Sequence, residues 1–262
     1  MSDFANKSVV VTGGAKGIGS GIVRAFAMAG ARVACVDTDE VAGQQISGEA
    51  EGYSGDIRFY KVDVSEGAEC ASLCKSVISD FGSIDVLCNN VGIQPTSSYV
   101  AAHELPDEMW DQIIDVNLKS HFLMSKYSLP HMIKAKSGVI INTASVQGLQ
   151  SAAGVSAYAA SKGGILSLTR QLALEYAKYG IRVLAVNPGT IDTPLVEEAR
   201  IHTGQTKEEL NQEAVKSHPV GRIGLPSDIA AAVLFLAGEQ ASFMTGSYIN
   251  VDGGLMAKGA WA

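Results

Sequence analysis

The sequence predicts a single layered α/β domain, and three observations carry that expectation. Of its 262 residues, 47% are hydrophobic but only 6% are aromatic, and 28 are glycine. That balance suits helices packed on a sheet through small side chains. Short apolar runs with the character of buried strands alternate with stretches at helical spacing. A glycine-rich turn joins the first such run to the first helix. No repeat, linker or low-complexity segment divides the chain, so one domain is expected to cover residues 1–262.

The first strand is Ser8-Val9-Val10-Val11, short and β-branched. Thr12-Gly13-Gly14-Ala15-Lys16-Gly17-Ile18-Gly19 follows, and Ile22, Val23, Phe26 and Ala27 then fall at helical spacing. Strand, glycine turn and helix together read as a dinucleotide site. The glycines let the backbone approach a pyrophosphate, whose charge sits at the helix N-terminus. Residues 32–36 form a second strand ended by Asp37. A carboxylate there accepts hydrogen bonds from the ribose of NAD and repels the extra phosphate of NADP. Like charges 4 Å apart cost roughly 4 kcal/mol at an effective dielectric of 20. Lys16 pulls towards NADP, but Thr38, Asp39 and Glu40 bring no further base, so NAD is favoured. Asp37 also has the chemistry of a helix N-cap.

Residues 41–55 read as a polar helix, 57–64 as a third strand, and 65–81 as the next helix. Asp63 suits either the adenine edge or a strand-end turn. Residues 84–88 form the fourth strand, closed by Asn89-Asn90-Val91-Gly92. This polar pair faces the ligand crevice or locks neighbouring loops, with Asn89 expected nearer the cofactor. Residues 106–135 contain a long helix whose apolar stripe is Met109, Ile113, Ile114, Val116 and Leu118. Asn117 interrupts the stripe and needs partners. It either ties down a helix or holds a water.

The fifth strand, residues 138–144, delivers Ser145, and residues 155–179 form a helix bearing Tyr158-Ala159-Ala160-Ser161-Lys162. Positions four apart share a helix face, so Tyr158 and Lys162 present a phenol and an ammonium side by side. A phenol titrates near pH 10, and a fixed positive charge lowers that value. Reaching neutrality takes three units, roughly 4 kcal/mol. Ser145 adds a hydrogen-bond donor for a substrate oxygen. This is an acid–base set for interconverting an alcohol and a carbonyl, lacking only a hydride carrier. Residues 181–186 form the sixth strand, after which Asn187-Pro188-Gly189-Thr190-Ile191-Asp192-Thr193-Pro194 breaks regular structure. Thr193 caps a helix or holds a nicotinamide amide. Residues 195–219 read as a helical flap over the substrate, within a span of about 190–220. An amphipathic helix over 226–236, a last strand over 246–251 and an apolar tail ending in Trp261 complete the chain.

The net charge is −7 and no basic run exists, which argues against nucleic-acid or anionic-membrane partners. No apolar stretch reaches bilayer length, and the N-terminus lacks a signal-peptide pattern. Cys35, Cys70, Cys74 and Cys88 match no zinc spacing and read as small buried hydrophobes of a reducing, cytoplasmic compartment. His103, His121, His131, His202 and His218 form no paired ligand motif, so no metal is expected.

In motif order and spacing the chain resembles the classical short-chain dehydrogenase/reductase family over nearly its whole length. The resemblance rests on the Thr12 to Gly19 loop, Asn89-Asn90-Val91-Gly92, Asn117, Ser145, Tyr158 with Lys162, and Asn187-Pro188-Gly189. Val91 stands where that family usually has Ala. The resemblance implies a Rossmann-type doubly wound parallel sheet of about seven strands with helices on both faces. It implies Tyr158 as acid/base, Lys162 lowering its pKa and binding the nicotinamide ribose, Ser145 on the substrate oxygen, and Asn117 on a relay water. Gly13, Gly17 and Gly19 would form the phosphate loop, with Ile18 contacting the ribose–phosphate region. Asp63 and Val64 would meet the adenine, Asn89 its ribose, and Ile191 and Thr193 the carboxamide. Similar proteins are often homotetramers of two-fold symmetry.

The expected activity is NAD-dependent oxidation of a secondary alcohol or lactol. Gln94, Gln147, Gln150 and His202 offer hydrogen bonds suited to a small-molecule substrate such as a sugar or polyol. Reduction of a 3-oxoacyl thioester is the alternative, followed by a steroid or other cyclic alcohol. A non-catalytic nucleotide sensor on the same scaffold, or a structural subunit of a larger complex, is the reading from a different class.

Overall fold

The computed structural model describes residues 4–258, and the expected apolar tail at Trp261 lies outside them. Seven parallel strands form one sheet: β1 (Ser8–Thr12), β2 (Arg32–Asp37), β3 (Asp56–Lys61), β4 (Val86–Asn89), β5 (Gly138–Thr143), β6 (Ile181–Pro188) and β7 (Tyr248–Val251). Their order across the sheet is β3-β2-β1-β4-β5-β6-β7. The chain runs outward from β1 to β3, then restarts on the other side at β4. Strand order therefore reverses between β1 and β4, and the crevice beyond their C-terminal ends is where such sheets bind ligands.

Parallel strands covered on both faces read as continuous apolar runs, and β1 shows why. Val9 and Val11 point to one face and Val10 to the other. The first face packs on α1 (Gly17–Met28) and α9 (Pro226–Ala237) through Ile22, Val23, Phe26, Ile229 and Val233. The second packs on α3 (Gly67–Phe81), α5 (Ser120–Ala135) and α6 (Ser156–Tyr176) through Leu73, Val77, Met124, Met132 and Leu172. Phe26 is fully buried and meets Phe4 edge-on with ring centroids 4.9 Å apart. All four cysteines are free and buried, and burial pushes the Cys35 and Cys70 thiols up to about 12. They are inert packing groups.

Three elements depart from the sequence expectation. The polar helix after β2 is α2 (Glu40–Gly48), followed by a short 3₁₀ turn at Glu49–Gly52. Strand β3 stops at Lys61 because Asp63 turns the chain: its Oδ1 accepts from Ser65 N and Oγ at 2.9 and 2.7 Å. The long helix is split into α4 (Asp107–Ile114), a π turn at Asp115–Lys119, and α5. The extra residue of a π turn rotates the side chains beyond it, and such turns recur at functional sites. This one turns Asn117 fully inward while Val116 and Leu118 stay half-buried. Beyond β6 the flap forms two helices, α7 (Pro194–His202) and α8 (Lys207–Ser217).

Candidate active site

Glycine geometry shapes the crevice floor. Gly13 and Gly17 take φ of 60° and 53°, a region that side chains resist. Gly19 is constrained by packing instead, since a Cβ there would overlap the Gly13 carbonyl oxygen. The α1 N-terminus carries no side-chain cap at Lys16 and no acid in its first turn. Its first amides, including that of half-buried Ile18, are left for an anion. A glycine cradle before an uncapped helix fits the pyrophosphate of a nicotinamide dinucleotide.

Acidic residues at and just past the end of β2 hold this floor. Asp37 Oδ2 accepts from Ala15 N at 3.0 Å, and Oδ1 from Asp39 N at 3.1 Å. The cap of α2 is Asp39, which accepts from Ala42 N at 3.0 Å. Asp39 also pairs with Lys16, Nζ to Oδ2 at 2.5 Å. Hydrogen bonding to Asp39 raises the Lys16 pKa. Asp63 is exposed just past β3, with Val64 buried beside it. The turn reading accounts for Asp63 Oδ1.

The Asn89 side chain, expected nearer the cofactor, points into the core behind the sheet, which leaves a cofactor contact there to its backbone. Its Nδ2 donates to Asn142 Oδ1 at 3.0 Å, Ser125 Oγ at 3.2 Å and His121 O at 3.4 Å. Asn142 in turn donates to Thr169 Oγ1 at 2.9 Å, so β4, β5 and α6 share one buried polar network. Asn90 is the member of the pair that reaches the glycine loop. Its Nδ2 donates to the Thr12 and Gly13 carbonyls at 3.1 and 3.2 Å. Successive side chains on a strand point to opposite faces, which separates the two asparagines.

The acid–base group assembles at the ends of β5 and α6. Ser145 follows β5 in extended conformation, its Oγ accepting from Gln147 N at 3.1 Å. The Ser145 hydroxyl lies near enough to the Tyr158 phenol to favour its ionised form. Lys162 Nζ lies 5.5 Å from the Tyr158 ring centroid, so the two side chains share one helix face. Lys162 is buried and donates to Thr143 O at 3.0 Å. A Cβ on Gly92 would sit 3.2 Å from Lys162 Nζ and 3.7 Å from Asn117 Oδ1, so these two polar atoms flank the same space.

Asn117 is tied on three sides. Its Oδ1 accepts from Ile93 N at 2.7 Å, and its Nδ2 donates to Ile93 O at 2.9 Å and Ser161 Oγ at 3.2 Å. The side chain therefore pins the loop after β4 onto α6, leaving one lone pair of Oδ1 free among the described residues.

Electrostatics differ from the simple expectation that Lys162 pulls the phenol down. Burial dominates and pushes Tyr158 up to about 12, against the pull of the Ser145 hydroxyl, while nearby Tyr99 also raises it. Burial likewise pushes Lys162 down to about 8. Desolvation penalises both charged forms at once, and residue spacing carries no measure of it. His121, fully buried on α5, is driven well below the usual range by burial and then by the Lys162 charge.

The substrate side is closed by loops. Ile191 is buried and bridges to Gly224, and Thr193 caps α7 through Val196 N at 3.5 Å. Thr193 also faces the glycine loop, its Cγ2 3.3 Å from where a Gly17 Cβ would be. Gln94 is half-buried, and Gln147 Oε1 accepts from Ala152 N at 2.8 Å. Gln150 and His202 are exposed, and the His202 ring lies 6.4 Å from that of Tyr99. His218 went unassigned in the sequence: its Nε2 accepts from Thr190 N at 3.1 Å and its Nδ1 donates to Ala214 O at 2.9 Å. It fastens α8 to the turn after β6. Asn142 was also missed, though a polar residue inside the apolar run of β5 was a visible signal.

The chain is similar to known proteins in sequence and in fold. The family described as "Enoyl-(Acyl carrier protein) reductase" matches residues 13–256. The 3-oxoacyl-[acyl-carrier-protein] reductase FabG of Thermotoga maritima is 37% identical, covering 95% of this chain and 98% of that protein. The L-fucose dehydrogenase of Bos taurus is 37% identical, covering 96% of this chain and 90% of that protein. The crystal structure of levodione reductase superposes with a TM-score of 0.93 at 30% identity, over 98% of this chain and 100% of that one.

Proposed function

This chain belongs to the classical short-chain dehydrogenase/reductase family, and we propose that it interconverts a secondary alcohol and its carbonyl with NAD, favouring a sugar or polyol. The observation that carries the reading is the Lys162 ammonium over the Tyr158 ring, with the Ser145 hydroxyl close to the same phenol, beyond the C-terminal ends of β4 and β5. Bound nicotinamide would supply or take up the hydride. Tyr158 exchanges a proton with the substrate oxygen, giving it up as a phenol in reduction and taking it as a phenolate in oxidation. Ser145 donates to the same oxygen and stabilises charge developing there. Lys162, fixed on Thr143 O, favours the phenolate through its charge and would hold the nicotinamide ribose. Gly13, Gly17, Ile18 and Gly19 would hold the phosphates, Asp63 and Val64 the adenine, and Ile191 and Thr193 the carboxamide. Asn117 and Lys162 flank a space that would take a relay water.

NAD is favoured over NADP because Asp37 stands at the end of β2 and Asp39 holds Lys16. A polyol is favoured because the crevice walls carry Gln94, Gln147 and His202 beside apolar Ile93, Val146 and Val155. The acidic flap residues Glu198, Glu208 and Glu209 disfavour an anionic carrier-borne thioester, the substrate type that the FabG relative's name describes. On this reading the chain works in the cytoplasm as a homotetramer. Trp110 and Phe122 stand exposed on α4 and α5, and Phe235, Phe243 and Tyr248 stand exposed around α9 and β7. A panel of sugars, polyols, cyclic alcohols and oxoacyl thioesters, run with each cofactor, tests the proposal. Turnover of polyols with NAD supports it; turnover confined to oxoacyl thioesters with NADPH overturns it.

A further inference from the structure

Three separate walls of the crevice meet at Tyr99, a residue that the acid–base chemistry does not use. It follows the short turn Thr96–Ser98 in the loop between β4 and α4. The His202 ring at the end of α7 lies against its ring, centroids 6.4 Å apart and planes inclined by 33°. The loop before α6 closes on the same point, since a Cβ on Gly154 would lie 3.8 Å from the Tyr99 carbonyl carbon. The phenol is half-buried and pushed up by that burial, and it stands near enough to Tyr158 for the two phenolates to repel. No hydrogen bond engages the Tyr99 hydroxyl among the described residues. A half-buried phenol where these loops meet, with its own donor and acceptor unspent among the described residues, is placed to meet a ligand.

We propose that Tyr99 determines substrate specificity: its hydroxyl binds a second oxygen of the substrate, and the His202 ring holds it in place. The inference rests on the oxidoreductase reading and narrows its substrate class. Tyr158 and Ser145 take the reacting oxygen, and Tyr99 takes a neighbouring hydroxyl or ring oxygen. The preferred substrate is therefore polyoxygenated, and its deoxy analogue is discriminated against because the Tyr99 hydroxyl is then left without a partner. His202 is a positioning residue that acts through the Tyr99 ring.

The test compares kcat/KM for cyclohexane-1,2-diol with that for cyclohexanol, which differ by one hydroxyl. The ratio is expected to favour the diol in the unmodified protein and to fall about tenfold in Tyr99→Phe, the loss expected for one neutral hydrogen bond. His202→Ala lowers the same ratio, whereas His202→Phe, which keeps a ring against Tyr99, retains it. A ratio within about twofold of the original in Tyr99→Phe overturns the proposal. So does an equal fall for both alcohols, which marks a structural role. Absence of turnover across the whole alcohol panel by the unmodified protein overturns the oxidoreductase reading and this inference with it.

Discussion

Replacing Lys162 by Met keeps the length and volume of the side chain and removes its charge. Burial holds the Lys162 ammonium at about 8, against 10.5 for the free side chain. Between those values the unfolded chain binds more protons than the folded one, so stability rises with pH through this window. The penalty is complete below about pH 8 and vanishes above about pH 10.5. Linkage then puts the cost of the buried charge at about 3 kcal/mol at pH 7, and about 1 kcal/mol at pH 9.5. Lys162→Met carries no such group. The stability of the unmodified protein relative to the variant should therefore rise by about 2 kcal/mol over that span. The lost hydrogen bond to Thr143 O shifts both pH points alike and drops out of the comparison. Urea unfolding followed by circular dichroism at the two pH values, for both proteins, measures the difference. A change smaller than about 0.5 kcal/mol would refute the desolvation argument, and the opposite sign would show that a fixed anion holds the ammonium.

Other expectations rest on single residues. Asp37→Ala should shift preference towards NADP by removing the carboxylate that repels the extra phosphate, measured as the ratio of kcat/KM values with the two cofactors. The same change should also cost about 1–3 kcal/mol of stability, because the Ala15 and Asp39 amides lose their acceptor. Asn89→Ala should destabilise the fold by about 1–3 kcal/mol through the orphaned Asn142 carbonyl, with NADH affinity changed less than twofold. Asn90→Ala, which loosens the glycine loop, should instead weaken NADH binding several-fold in a fluorescence titration. Equal effects of the two asparagine variants on affinity would contradict the division of labour assigned to them.

The sheet and the glycine loop were legible because each is written locally. Val9, Val10 and Val11 advertise a strand buried on both faces, and Gly13, Gly17 and Gly19 sit where backbone and ligand must come close. The shared face of Tyr158 and Lys162 came from helix geometry alone. What could not be read is long-range. Which asparagine of the pair faces the crevice depends on strand parity relative to a sheet not yet built. The hold of Asp39 on Lys16, and of His218 on the turn after β6, joins residues whose meeting no periodicity announces. The π turn at Asn117 has no composition cue. Most consequentially, spacing carries no measure of desolvation, which pushes the Tyr158 phenol up and the Lys162 ammonium down.

The central claim is that the Tyr158 hydroxyl moves the proton while a hydride leaves the substrate carbon. It is tested most directly by following isotope transfer from a secondary alcohol deuterated at its carbinol carbon into NAD⁺, in the unmodified protein and in Tyr158→Phe. The unmodified protein should yield singly deuterated NADH. The variant should bind NADH undiminished and lose turnover by about 10²–10⁴-fold, the range for removing a general acid–base. Transfer at the original rate in Tyr158→Phe would contradict the account.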